Sequence, residues 1–198
     1  MNYKELTKIQ LDALKEISNI GAGNSATSLS ILLGSKIDMS VPNVNIIAFE
    51  DLFDQHKENE VVAVLVKVLD DIEGSLLYVF ETEIALNIIS SLCGYKNQID
   101  DMGISVIGEV GNIIASSFMN AISDFINIRA TVSVPAVAND MLSAVLVSTF
   151  IEAGQYDEYA LDIETLYTGE NNSNIQGNLY YIPAPGSLEK ILKSIGIA

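Results

Sequence analysis

Residues 12–19 read DALKEISN and residues 105–112 read SVIGEVGN. Each stretch has a Glu followed three residues later by an Asn, and four residues before each Glu stands a small oxygen-bearing side chain, Asp12 or Ser105. Twenty-two residues then separate each Asn from a proline, Pro42 in the first case and Pro135 in the second. Glu16 and Glu109, Asn19 and Asn112, and the two prolines are all 93 positions apart. A later echo, IEGSLLYVF at 72–80 against IQGNLYYIP at 175–183, has an offset of 103, which places an insertion near the loop-like EAGQYDE at 152–158. The 198 residues therefore read as a single domain built of two internal repeats, about 1–98 and 99–198.

Each half has the same order of elements. A long helix comes first, over 4–33 and 103–127, the former broken near the GAG at 21–23. Strands follow: the 35–50 region, VVAVLVKVL at 61–69 and GSLLYVF in the first half; ATVSVPAV at 130–137, MLSAVLVSTF at 141–150, YALDIETLYT at 159–168 and GNLYYIP in the second. A shorter helix closes each half, over 82–93 and 186–195. Pro42 and Pro135 suit the exit of an edge strand, where a missing N–H costs no ladder bond. The expected class is α+β: one central, mainly antiparallel sheet with pseudo-two-fold symmetry, flanked by two long motif-bearing helices and two shorter ones.

Charge and composition narrow the chemistry. The chain carries 10 Lys+Arg against 26 Asp+Glu, a net charge of −16, and a surface so acidic repels phosphate backbones; nucleic acid is not an expected partner. Apolar runs such as AVLVSTFI at 144–151 are too short to cross a bilayer, so no membrane insertion is expected. MNYKELTKIQ reads as the start of a helix rather than a leader, which points to the cytoplasm. Cys93 is the only cysteine and His56 the only histidine, which excludes an internal disulfide and a Cys/His zinc cluster. Cys93 lies in the apolar ALNIISSLCG and reads as a buried thiol, and His56, in DQHKENE, as part of a solvated loop. The GAG lacks the strand and third Gly of a dinucleotide site, so a kink or close packing explains it better. Asp70, Asp71 and Glu73 lack the spacing of a calcium loop and read as a charged turn.

At about 100° per residue, Glu16 lies about 40° and Asn19 about −20° from Asp12, so the three side chains share one stripe. Ser105, Glu109 and Asn112 repeat those angles. Leu6, Ile9, Ala13, Ile17 and Ile20 fall on the adjacent apolar side, as do Val106, Val110 and Ile113. Taken singly, each Glu or Asn is an ordinary polar residue on a helix surface, kept alike by duplication. An Asn inside a helix is mildly unfavourable, however, and here it recurs with the same neighbours. A water-exposed Glu carboxyl, with a pKa of about 4.3, is a feeble base at neutral pH. An Asn amide can donate one hydrogen bond and accept another, and so hold a water in place. Such a pair anchors and positions, and needs a partner to bring the electrophile.

The pattern Asp/Ser-x3-Glu-x2-Asn-x22-Pro, present twice, resembles the signature of the CheC family of chemotaxis phosphatases (the CheC/CheX/FliY group). EISNIGAGNSATSLSILL, VPNV, IEGSLL and IPAPGSLEKILKSIGI are similar to the CheC branch in particular. The resemblance implies a phosphatase that removes the phosphoryl group from the phospho-aspartate of the response regulator CheY. It implies that Glu16 and Glu109 anchor lysines of the regulator, and that Asn19 and Asn112 orient the attacking water. Asp12, Ser105, Pro42 and Pro135 take supporting roles. The Mg²⁺ is expected in the partner, with no cofactor or metal held by this chain. The family also binds the receptor deamidase CheD, through a region similar to that around Asp140. The reading from another class is a non-enzymatic adaptor that binds phosphorylated CheY or CheD by the same stripe.

Overall fold

The computed structural model describes residues 6–48, 50–52, 59–94, 98–152, 159–169 and 174–197. The first long helix, α1 (Lys8–Leu33), starts from a reciprocal cap: Gln10 N–H donates to Thr7 Oγ1, and Thr7 N–H to Gln10 Oε1 at 2.9 Å. It ends at Gly34, whose φ of 61° suits a residue without a side chain. Strands β1 (Ile37–Met39), β2 (Asn43–Ala48), β3 (Glu60–Asp70) and β4 (Gly74–Glu81) follow, and α2 (Thr82–Cys93) closes the first half. The second half runs α3 (Asp101–Ile126), β5 (Ala130–Val132), β6 (Ala136–Met141), α4 (Leu142–Glu152), β7 (Tyr159–Gly169), β8 (Asn174–Pro183) and α5 (Ser187–Ser194). Asp100 caps α3, its Oδ1 accepting from Gly103 N–H at 2.9 Å.

Among the described residues the eight strands join one antiparallel sheet in the order β1-β7-β8-β4-β3-β5, with β2 also on β7 and β6 also on β3. The centre is the β4–β8 pair, where Leu76 faces Tyr181 and Tyr78 faces Leu179, two pairs exchanged by the two-fold. The halves swap their outer strands. The short strands of the first repeat lie on the long strand of the second, and the reverse holds on the other side.

Strand β3 is apolar at nearly every position because both sheet faces are covered. Val62, Val64, Val66 and Val68 pack under α2 and α3 in the main core, while Val61 and Ala63 face a second cluster with Leu142, Val145 and Leu146. Each fully buried aliphatic side chain of this kind contributes about 1.5–3 kcal/mol.

Two expectations change here. MLSAVLVSTF forms the end of β6 and then a helix, α4, whose buried positions Leu142, Val145, Leu146 and Thr149 have helical spacing, so among the described residues it joins α2 and α5 as a further short helix on the sheet. The helix α1 runs unbroken through the GAG. There a Cβ on Gly21 would stand 2.5 Å from the Phe118 ring, so the glycine serves close packing of α1 on α3. Ser25 Oγ donates to the Ile114 carbonyl at 2.9 Å and Ser117 Oγ to Ser28 Oγ at 2.7 Å across the same antiparallel contact.

The charged turn at 70–73 joins β3 to β4, with Asp70 at a φ of 75° and Asp71 Oδ2 accepting from Arg129 N–H. Cys93 is half-buried at the end of α2. By length and composition α3 could cross a membrane, but half of its most apolar window is buried in the protein. His56 and the 153–158 part of the insertion lie outside the described residues.

Candidate functional site

The helix α1 buries Leu14, Ile17, Ser18, Gly21, Ala22 and Ser25, a face on which Gly21 lies about 180° from Asp12. Helix α3 buries Ile107, Val110, Gly111, Ile114 and Phe118 in the same sense. The stripes are therefore turned outward: Asp12, Glu16, Ser105 and Glu109 are exposed, and Asn19 and Asn112 are half-buried. Ile9, expected on the apolar side, is 68% exposed, because it sits in the first turn of α1 and extends the stripe.

The prolines reach the stripes through two tripeptides expected to belong to strands, Ser40-Val41-Pro42 and Ser133-Val134-Pro135, which instead form the loops between β1 and β2 and between β5 and β6. Ser133 N–H donates to the Lys67 carbonyl, and Lys67 N–H donates to Ser133 Oγ, both at 2.9 Å. Ser40 makes the same pair of bonds with Leu166, at 2.9 and 3.1 Å. Each loop is thus pinned to the long strand of the opposite repeat. The strand ladder resumes after Pro42 and Pro135, where a residue without N–H leaves no donor unmade. The signal was available: laying the repeats at an offset of 93 aligns the two tripeptides. The same offset aligns two pairs of exposed apolar side chains, Ile9 with Met102 and Val41 with Val134; the last is 89% exposed.

In the second repeat these parts enclose an open groove of about 700 Å³ between α3 and the β5–β6 loop. Ser105, Glu109, Asn112 and Pro135 all line it, with Gly108 and Ser116 from the same helix. Ser116 Oγ donates to Asn112 Oδ1 at 3.4 Å. In the first repeat Lys15 takes the place of Gly108, Gly23 that of Ser116 and Met39 that of Val132. There Asn19 Oδ1 is buried without a hydrogen-bond partner among the described residues, and the Met39 methyl lies close to Gly23. A separate groove of about 480 Å³, beside the start of α1 and β2, contains none of the four motif residues.

Asp140 stands apart from both stripes, exposed on β6, with its Oδ1 accepting from Met141 N–H at 2.7 Å. Among the described residues no three His, Cys, Asp or Glu side chains are grouped to hold a cation. What the stripes offer chemically is an exposed carboxylate, a half-buried amide seven residues from a small polar or acidic side chain, and an apolar rim. That set can grip a cationic, partly apolar protein surface and place one hydrogen-bonding group within it.

The CheC-like family matches residues 9–46 and 102–138, two segments whose starts are also 93 positions apart. The chain is 31% identical to the CheY-P phosphatase CheC of Bacillus subtilis (strain 168), over 98% of this chain and 97% of that protein. It is 30% identical to the flagellar motor switch phosphatase FliY of the same organism, over 67% of this chain and 36% of that one. Among solved structures, Thermotoga maritima FliY superposes with a TM-score of 0.79 at 22% identity, covering 96% of this chain and 97% of the other.

Proposed function

The chain belongs to the CheC family, and from that premise we propose that it hydrolyses the phospho-aspartate of the chemotaxis response regulator CheY at two pseudo-equivalent sites. The observation that carries this reading is the groove of the second repeat, which Ser105, Glu109, Asn112 and Pro135 line together. Its relatives of known activity include a CheY-P phosphatase aligned along almost its whole length.

In this mechanism the Glu109 carboxylate, exposed on α3, pairs with a cationic side chain of the regulator and sets the docking angle. Asn112, one turn further on, enters the regulator's site and holds a water by its amide. The water oxygen bonds to phosphorus as the bond from phosphorus to the aspartyl oxygen breaks, releasing phosphate and the free carboxylate. Glu16 and Asn19 act likewise at the first site. No acid or base on this chain is required, because aligning reactants at a loose phosphoryl-transfer transition state itself supplies rate. The regulator brings the Mg²⁺, which neutralises charge on the phosphoryl oxygens. Asp12 and Ser105 border the contact, and Pro42 and Pro135 shape its loop. The expected location is the cytoplasm. A contact with CheD is assigned to the sheet edge around Asp140, and Asp140→Lys should weaken capture of CheD without changing phosphate release.

The test is phosphate release from phosphorylated regulator with Mg²⁺, at catalytic amounts of this protein. Acceleration is expected for the wild type, and replacing Asn19 and Asn112 together by Ala should return the rate to the spontaneous one, a loss on the order of 100-fold. A wild type that binds the phosphorylated regulator without accelerating release would leave only an adaptor.

A further inference from the structure

We infer that Ser116 is a positioning residue for Asn112, and that its absence at Gly23 leaves the first site with a less ordered amide. This rests on the proposed function for its kinetic consequence, though not for its structural part. Ser116 lies four residues after Asn112, one turn along the same stripe, and lines the same groove. Its hydroxyl donates to Asn112 Oδ1 at 3.4 Å, and among the described residues Asn112 makes no other side-chain hydrogen bond. An amide whose oxygen is engaged by its own helix has a fixed plane and turns its two N–H donors to the groove. That end is the one a water oxygen accepts from.

The pseudo-equivalent position removes the hydroxyl and keeps the rest. Gly23 lies four residues after Asn19, and Asn19 Oδ1 is buried without a partner among the described residues. Burying such an oxygen unpaired is unfavourable, so the amide gains by turning away from the geometry that Asn112 holds. Ser30 and Ser105, by contrast, return their hydroxyls to the backbone carbonyls of Ala26 and Asp101, four residues back on their own helices. Ser116 instead bonds a side chain. The first repeat can accept the missing group, because a Cβ on Gly23 would meet only the Met39 methyl, at 3.8 Å, an ordinary contact.

Each site is read alone, the second in an Asn19→Ala background and the first in an Asn112→Ala background. Ser116→Ala should lower kcat at the second site about five- to tenfold, the worth of one hydrogen bond, with KM for the phosphorylated regulator within about twofold. Ser116→Thr, which keeps the hydroxyl, should restore most of the loss. Gly23→Ser should raise kcat at the first site by about threefold or more. In the ¹⁵N-labelled wild type, the Asn112 side-chain amide should be more ordered on the picosecond–nanosecond timescale than that of Asn19, and Ser116→Ala should erase the difference. An unchanged kcat in Ser116→Ala, a rise in KM in place of a fall in kcat, or an Asn112 amide as mobile as that of Asn19 would each overturn the assignment. A wild type without phosphatase activity would sink the functional reading alone, and the amide mobilities would still decide whether Ser116 holds Asn112.

Discussion

Around Asn112 the second repeat carries Gly108, Ser116 and Val132; around Asn19 the first carries Lys15, Gly23 and Met39. The scaffold beneath them is nearly the same. Ser40 and Ser133 make matching pairs of bonds to the long strand of the opposite repeat, and the same four landmarks stand at the same spacing. The duplication has therefore kept the backbone that aims the Glu and Asn while changing what lies between them. In the second site these positions carry small side chains, one of them a hydroxyl, beside an open groove. In the first, a cation stands beside Glu16, a longer apolar side chain lies over the helix, and the amide has lost its hydroxyl partner.

That contrast can be broken most strongly by making the second site resemble the first. Gly108→Lys puts a charged chain where the groove is floored by glycine, and a Cβ there already lies 3.1 Å from Val137. Phosphate release by the second site, measured with Asn19→Ala, should fall about tenfold or more, since a like charge now faces the regulator's cation. Next comes Gly111→Ala, whose Cβ would stand 2.7 Å from the Val64 side chain. The overpacked contact between α3 and β3 should cost about 1–3 kcal/mol, read as a lower urea midpoint, and should disturb the second site more than the first.

Smaller effects should sharpen the comparison. Val134→Ser removes an exposed apolar contact beside the second site, and KM there should rise about threefold to fivefold with no change in Tm. Val41→Ser should act on the first site only. Lys15→Ala should improve the first site about twofold, an effect that shrinks as salt is raised, because exposed charges are screened.

Much of this plan was legible in the residues. The spacing of 93 gave the repeat, helical geometry gave the two stripes, and the order of apolar runs gave an antiparallel α+β sheet. The exposed carboxylates and half-buried amides lie where the angles put them. The residues of α4 fit a strand equally well, because a short apolar run bounded by turns satisfies either period until its buried side is known. The contact face of α1 is displaced from the one that Ile9 marks, since its buried side includes Ser18, Gly21, Ala22 and Ser25, small residues that a hydrophobic pattern overlooks, and Gly21 and Ser25 meet α3. The exchange of outer strands between the halves rests on pairings such as Val44 with Ile163, more than a hundred residues apart, which no local pattern encodes. Ser116 has no counterpart in the first repeat, where Gly23 stands at the matching position, so the repeat pattern does not mark it.

The most direct test of the account compares Asn19→Ala with Asn112→Ala, each alone, in phosphate release from the phosphorylated regulator under single-turnover and steady-state conditions. The account predicts that Asn112→Ala removes the larger share of the acceleration, that Asn19→Ala leaves most of it, and that both together leave only spontaneous loss. Full activity in the double variant, or a first site that carries the greater share, would contradict it.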